Sequence, residues 1–421
     1  MAIQNNFPNL TPTLLLDFAN AGKLDPRVTF SRATTATYFN SLGVLTTANN
    51  NVARFDYNPS TLAAQGLLIE EQRTNSIRNN TGVGAVAGTP GTAPTNWAIS
   101  GLGTLTQTVV GTGTANGINY IDFRFNGTTS TTQLSLRFEA NNVIAAANGQ
   151  TWAQSIWSAV VGGSTSNVTQ VGLSTLLWDS GGSFVGSIPF ASGFVANTTS
   201  SLIRITPSAT IATVGTAFAQ PQIYLTFNSG VAIDITLRIG LPQLEQGAFA
   251  TSVIPTTTTA LTRNADLATM TGTNFSSWYN ASEGTLYYEG MVQANNDGIV
   301  YTGIADTFDN TAYFVRAAPN QTWIVRSGAS AQAEVNVNFT PTANVPFKMV
   351  GTLKVNDFAF CVNGGTVATD VSGALPASAV RLGIGNSPWA AFGGNARQQW
   401  IRSIRYYPVR VTNAQLQALT G

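Results

Sequence analysis

A chain that performs acid–base or nucleophilic chemistry near neutral pH needs titratable groups within reach of one another, and this sequence is poor in them. Its 421 residues contain no histidine, which excludes Ser-His-Asp and Cys-His machinery, His-ligated metals and the commonest general base. Cys361 is the single cysteine, and one thiol makes neither an intrachain disulfide nor a zinc cage. Its setting, Phe358-Ala359-Phe360-Cys361-Val362, reads as a small buried hydrophobe. Glycoside hydrolysis needs two carboxylates about 5 to 10 Å apart across the sugar bond. The glutamates are Glu70, Glu71, Glu139, Glu245, Glu283, Glu289 and Glu334, and none opens a Glu-x-Asp-x-Glu run that would place such a pair on one strand. The expectation is a protein without catalysis.

Sugar binding asks for less: an aromatic ring to stack on a pyranose and a few polar groups to orient hydroxyls. Trp389 and Phe392 share the Gly- and Pro-rich stretch Asn386 to Gly394, where a large ring has no evident core to enter. This is the preferred contact site, for a glycan or equally for a neighbouring subunit. Trp178 precedes Asp179-Ser180-Gly181-Gly182, which places a ring and a carboxylate at a strand end beside a tight turn; core packing under the turn is the competing reading. Trp323 follows Pro319 to Thr322 and reads either as a loop residue or as a strand start. Trp97, Trp152, Trp157, Trp278 and Trp400 lie in or beside apolar runs and read as structural. Asp306 and Asp309 can join backbone carbonyls around Ca²⁺, although an Asx-turn is the commoner use of such residues. No other cofactor is implied.

Charged residues make up only 9% of the chain and the net charge is +1, while 43% is hydrophobic. An average soluble protein carries about 25% charge, so solubility here comes from Thr, Asn, Ser and Gly. The apolar share is that of a folded chain rather than a disordered one. There is no basic stripe to collect phosphates, so nucleic acid is not an expected partner. The longest apolar runs, such as Leu14-Leu15-Leu16 and Gly66 to Ile69, fall far short of a membrane span. The opening Met-Ala-Ile-Gln-Asn-Asn has no signal-peptide pattern, which points to synthesis in a cytosol.

The elements that must position these side chains are strands. Alternation of apolar and polar residues runs through Ile233 to Ile239, Leu134 to Phe138 and Val335 to Phe339, the mark of half-buried antiparallel strands. Asn363-Gly364-Gly365 signals a hairpin after Phe358 to Val362. Many short strands with Gly and Asn turns indicate an all-β chain of sandwiches or jelly rolls. One short helix is expected at the end, capped by Thr412-Asn413, with Leu416 and Leu419 laid on a sheet as a lid. Composition divides the chain into an extended, partly partner-supported segment over 1–75 with a hairpin near Asn40 to Gly43, a domain over 76–255, a linker over 256–274 and a domain over 275–421. In the first segment Asp17, Asp25, Asp56 and Glu70 can pair with Arg27, Arg32, Arg54 and Arg73, or with a partner's charges.

Three stretches resemble known families. Leu15-Leu-Asp-Phe18, Leu24-Asp-Pro-Arg27, Thr29-Phe-Ser-Arg32, Arg54-Phe-Asp-Tyr57 and Gly66 to Asn75 resemble the opening of phage head-spike, head-fibre and tail-fibre proteins. Pro242-Gln-Leu-Glu245 and Gly247 to Ser252 are similar to the close of carbohydrate-binding jelly-roll modules. Trp278-Tyr279, Glu283 to Leu286, Phe347-Lys348, Phe358 to Gly364 and Ile401 to Pro408 are similar to a concanavalin A-like or laminin G-like sandwich. The resemblance implies a virion-surface component made in the cytoplasm of a bacterial host, a homo-oligomer and most often a homotrimer, docked to capsid or tail proteins through the first segment and displaying two lectin-like sandwiches for adhesion to host or environmental glycans. It also admits a dedicated receptor-binding lectin and, as a more remote reading, a polysaccharide depolymerase.

Overall fold

The structure is a computed structural model describing residues 11–194, 201–294, 297–389 and 397–421. It is all β apart from three short helices among the described residues, and it divides into two compact units, residues 73–263 and residues 1–72 with 264–421.

The unit of residues 73–263 is a sandwich of two six-stranded sheets among the described residues. One runs Ile203–Ile205, Thr151–Ser164, Ala232–Gln246, Ile118–Thr128, Thr106–Ala115, with Ser208–Thr210 also paired to Thr151–Ser164; the other runs Phe184–Phe194, Val168–Trp178, Phe218–Phe227, Gln133–Arg137, Ala98–Ser100, with Ile144–Ala145 also paired to Phe218–Phe227. Alternation does the sorting. In Ile118–Thr128, Ile121, Phe123 and Phe125 enter the core, while Tyr120, Asp122 and Arg124 face outward. The same rule buries Ile233, Ile235, Leu237 and Ile239.

The second unit joins an eight-stranded and a seven-stranded sheet among the described residues. The eight-stranded sheet is centred on Glu283–Val292 and Gln399–Tyr407, and the seven-stranded one on Val300–Thr307 and Asn310–Ala317. Its helix Asn413–Thr420 has a capping box, Thr412 with Gln415, and buries Leu416 and Leu419 beside Tyr287, Val350, Ala359 and Cys361. Asn363 and Gly364 take positive φ of 46° and 67° at the predicted hairpin, as a primed turn demands.

Two expected boundaries are corrected. The opening is not an extended segment awaiting a partner, because it supplies strands to both sheets of the second unit. Leu14–Asp17 and Ala64–Ile69 pair with Gln399–Tyr407, and Thr29–Ser31 pairs with Leu267–Thr271. Leu14, Leu16, Phe18, Phe30, Leu67 and Ile69 are too few for a core of their own, yet they are buried in the shared one. The expected linker over 256–274 is likewise structured: Leu261–Arg263 pairs with Arg73–Asn75, and Ala268 and Met270 of Leu267–Thr271 are fully buried.

Candidate functional site

Trp389 is brought to the surface by small residues beneath it. Gly383, Gly303 and Tyr313 lie in one cross-strand row of the seven-stranded sheet. A Cβ on Gly383 would come within 2.7 Å of the Pro388 Cα, so the glycine leaves room for Pro388 to lie flat on the sheet. Gly385, with φ of 73°, turns the chain, and buried Asn386 holds the turn by donating to the carbonyls of Ala268 and Ile384, each at 3.1 Å. The half-buried Trp389 ring then meets Tyr313 edge to face at 4.7 Å and Phe308 at 5.1 Å.

Phe308, at the tip of the hairpin between Val300–Thr307 and Asn310–Ala317, is 45% exposed. The Arg326 guanidinium lies over its ring at 4.4 Å and donates to the Ala329 carbonyl at 2.8 Å. Asp309, 3.8 Å from Arg326, keeps half of its side chain in solvent. An apolar two-ring ledge is therefore flanked by a fixed cation and the half-exposed carboxylate paired with it, a combination able to stack on a sugar ring and orient its hydroxyls. Sequence reasoning missed Phe308, Tyr313 and Arg326; the available signal was a Phe inside the Asp306 to Asn310 turn. Phe392, expected in the same site, lies outside the described residues.

A smaller ring pair occurs in the unit of residues 73–263. Trp178 meets Phe184 edge to face at 5.8 Å, and Phe184 is 57% exposed. Asp179, expected beside them, is engaged in its own turn. Its Oδ1 accepts from the backbone N–H of Gly181 at 2.9 Å and of Ser183 at 2.8 Å, so it is an Asx-turn residue.

Other expected assignments are corrected. Trp323 is fully buried, packs on Phe314 at 4.6 Å and donates its indole N–H to the Thr352 carbonyl at 3.0 Å; it is a core residue and not a glycan contact. Asp306 accepts from the Ser378 hydroxyl at 2.8 Å while Asp309 faces Arg326, and among the described residues no group of three or more His, Cys, Asp or Glu gathers to hold a metal. The two aspartates do not assemble a Ca²⁺ cage.

Most of the residues expected to dock on a virion are committed internally. Asp266, from the expected linker, receives Arg32 at 3.0 Å and Arg54 at 2.5 Å, and Arg54 also pairs with Glu70 at 2.6 Å; all four side chains are fully buried. Burial opposes the charge of Arg54, but Asp266 and Glu70 outweigh it and hold the guanidinium charged. Asp56 accepts from the Phe39 N–H at 2.8 Å and the Trp400 indole at 2.7 Å. Burial pushes its carboxyl up to about 6 despite those bonds. Asp17 caps the turn Phe18–Ala21 through Asn20, and Asp25 chelates Arg27, which holds the Asp25 carboxyl below its usual range. Arg73 donates to the Gln246 carbonyl and lies over Phe249 at 5.0 Å. A charge already paired inside the fold has little left for a partner.

No family model matches the chain, and no curated relative matches it. Among solved structures it is similar to the CBM40 of Ruminococcus gnavus IT-sialidase bound to α2,3-sialyllactose, at 13% identity over 35% of this chain and 88% of that one, with a TM-score of 0.31. It is also similar to the CBM22-1–CBM22-2 tandem of Paenibacillus barcinonensis Xyn10C, at 10% identity over 77% and 98% of the two chains, TM-score 0.25. The LG4-5 domains of the mouse laminin α1 chain follow at 11% identity over 73% and 94%, TM-score 0.24. Likenesses this distant carry nothing about ligands or chemistry.

Proposed function

We propose that this chain is a non-catalytic adhesion and display protein of a bacteriophage particle, holding host-surface glycans against its β-sandwiches. The observation that carries the adhesive part is the exposed ledge of Trp389 and Phe308 beside Arg326 and Asp309. The non-catalytic reading is supported by the absence of histidine and by how the carboxylates are used: Asp56, Glu70, Glu139, Glu245 and Asp266 are buried and hydrogen-bonded within the fold. The particle address rests on the resemblance of residues 13–75 to phage spike and fibre openings, and so does a homotrimer. The buried charges of that opening no longer argue for either.

A glycan array with the intact chain tests adhesion. The expected result is a defined set of bound glycans, with Trp389→Ala and Phe308→Ala each weakening binding by about tenfold or more, equivalent to about 1.4 kcal/mol. Immunogold labelling of intact particles tests the address; unlabelled particles would remove the virion from the account while leaving the ledge intact.

A further inference from the structure

We infer that the unit of residues 73–263 carries a second, independent binding site, a preformed pocket for a neutral polyhydroxylated ligand of the size of one hexose. The pocket has a volume of about 470 Å³ and is lined by Thr81, Gly82, Thr112, Thr114, Asn119 and Tyr120 among others, with no charged residue in the lining. That volume lies within the range of about 300 to 1,000 Å³ typical of small-ligand sites.

Two walls make it, and both are fixed. The loop wall follows Asn79, whose amide accepts from the Val83 N–H at 3.0 Å and donates to the carbonyls of Val83 and Thr95, each at 2.9 Å. Asn80 and Thr256 bond each other reciprocally at 2.9 and 2.7 Å, and Thr81 donates to the Thr256 carbonyl at 2.8 Å. Gly82 and Gly84 take the positive φ this path requires, 81° and 88°. The hairpin wall is Thr106–Ala115 with Ile118–Thr128, turned by Asn116 and Gly117 at φ of 49° and 78°.

Alternation separates the hairpin's two faces. Tyr120 lies over Gly113, where a Cβ would sit 2.5 Å from the tyrosine oxygen, and its ring stacks with the Arg238 guanidinium at 3.7 Å. Asn119 falls on the opposite face, shared with Ile121. There the Thr114 hydroxyl donates to Asn119 Oδ1 at 2.9 Å, which leaves the amide N–H₂ as a donor for a ligand. Hydroxyl and amide groups suit sugar hydroxyls, and no charged side chain lines the pocket itself. Because both walls are braced before any ligand arrives, little ordering entropy opposes binding.

The site goes beyond the adhesion reading and is tested on the intact chain carrying Trp389→Ala, so that the ledge makes no contribution and either claim can fail alone. Saturation-transfer NMR is run with D-glucose, D-galactose and D-mannose, and with D-glucuronate and N-acetylneuraminate as charged probes. The expected result is transfer to at least one neutral hexose that exceeds transfer to both acids. Adding Thr112→Trp, at an exposed strand position, should fill the pocket and cut the signal about tenfold with the melting temperature unchanged, and Asn119→Ala should cut it by a similar factor. The inference is overturned if no neutral hexose gives transfer, if an acid is preferred, or if the signal survives in both variants.

Discussion

A buried arginine–carboxylate network in one unit and a pair of cross-strand surface bridges in the other put the same chemistry in opposite environments. In the unit of residues 1–72 and 264–421, Arg32, Arg54, Glu70 and Asp266 are fully buried and join residues as far as 234 positions apart. In the unit of residues 73–263, the cross-strand pairs Arg124–Asp234 and Arg238–Asp122 stand on the outer face of a sheet, the first with nearly half of each side chain in solvent. The unit of residues 1–72 and 264–421 is assembled from two stretches of chain and that of residues 73–263 from one continuous stretch. Buried charges tolerate only the correct partners, so the network pins the register of distant strands in the unit that needs it. The outer pairs add solubility to a chain otherwise coated with threonine and asparagine.

The comparison can be broken most readily at Asp266. Asp266→Ala removes the buried carboxylate that Arg32 and Arg54 share, leaving Arg54 with Glu70 alone, and should destabilise by about 3 to 5 kcal/mol. In denaturant melts of the intact chain, a transition assigned to residues 1–72 and 264–421 should shift strongly while that of residues 73–263 holds. Equal shifts in both would dissolve the contrast.

A smaller effect follows from Asp56. Its folded-state pKa, raised mainly by burial from 3.8 to about 6, means that the folded state holds the proton more tightly than the unfolded one. This contribution is fully present below pH 4 and is lost as pH rises through 6, so Asp56 by itself lowers stability at pH 8 relative to pH 4 by an amount on the order of 2 to 3 kcal/mol. Carboxyl ¹³C NMR should show Asp56 titrating near pH 6. Trp400→Phe, which removes a donor that favours the carboxylate, should move the midpoint higher; a midpoint near 4 in either protein contradicts the burial. The smallest effect is expected at Arg124→Ala, where an exposed pair in physiological salt contributes too little to move the melting temperature measurably.

Much of this fold is legible in the sequence because strand periodicity and turn chemistry are local. Ile233 to Ile239 declares its buried face by alternation, Asn363-Gly364 declares its turn, and Thr412 with Gln415 declares the final helix. Pairing between distant stretches has no such mark: nothing in Leu14–Asp17 names Gln399–Tyr407 as its neighbour, and Asp266 reads as part of a polar linker until the fold sets it between two arginines. The tryptophans divide in the same way. Glycines and a proline around Trp389 reveal a ring held outside the core, whereas Trp323, the fourth residue of the strand Asn320–Ser327, follows the parity of its buried neighbour Val325 and so belongs to the interior.

The central claim is adhesion without turnover through the Trp389 ledge. Its most direct test is co-sedimentation of the intact chain with purified bacterial surface polysaccharide, with reducing ends assayed in the same tubes. The account predicts that the chain is retained, that Trp389→Ala largely abolishes retention, and that no new reducing ends accumulate. Release of oligosaccharide, or retention indifferent to Trp389, would contradict it.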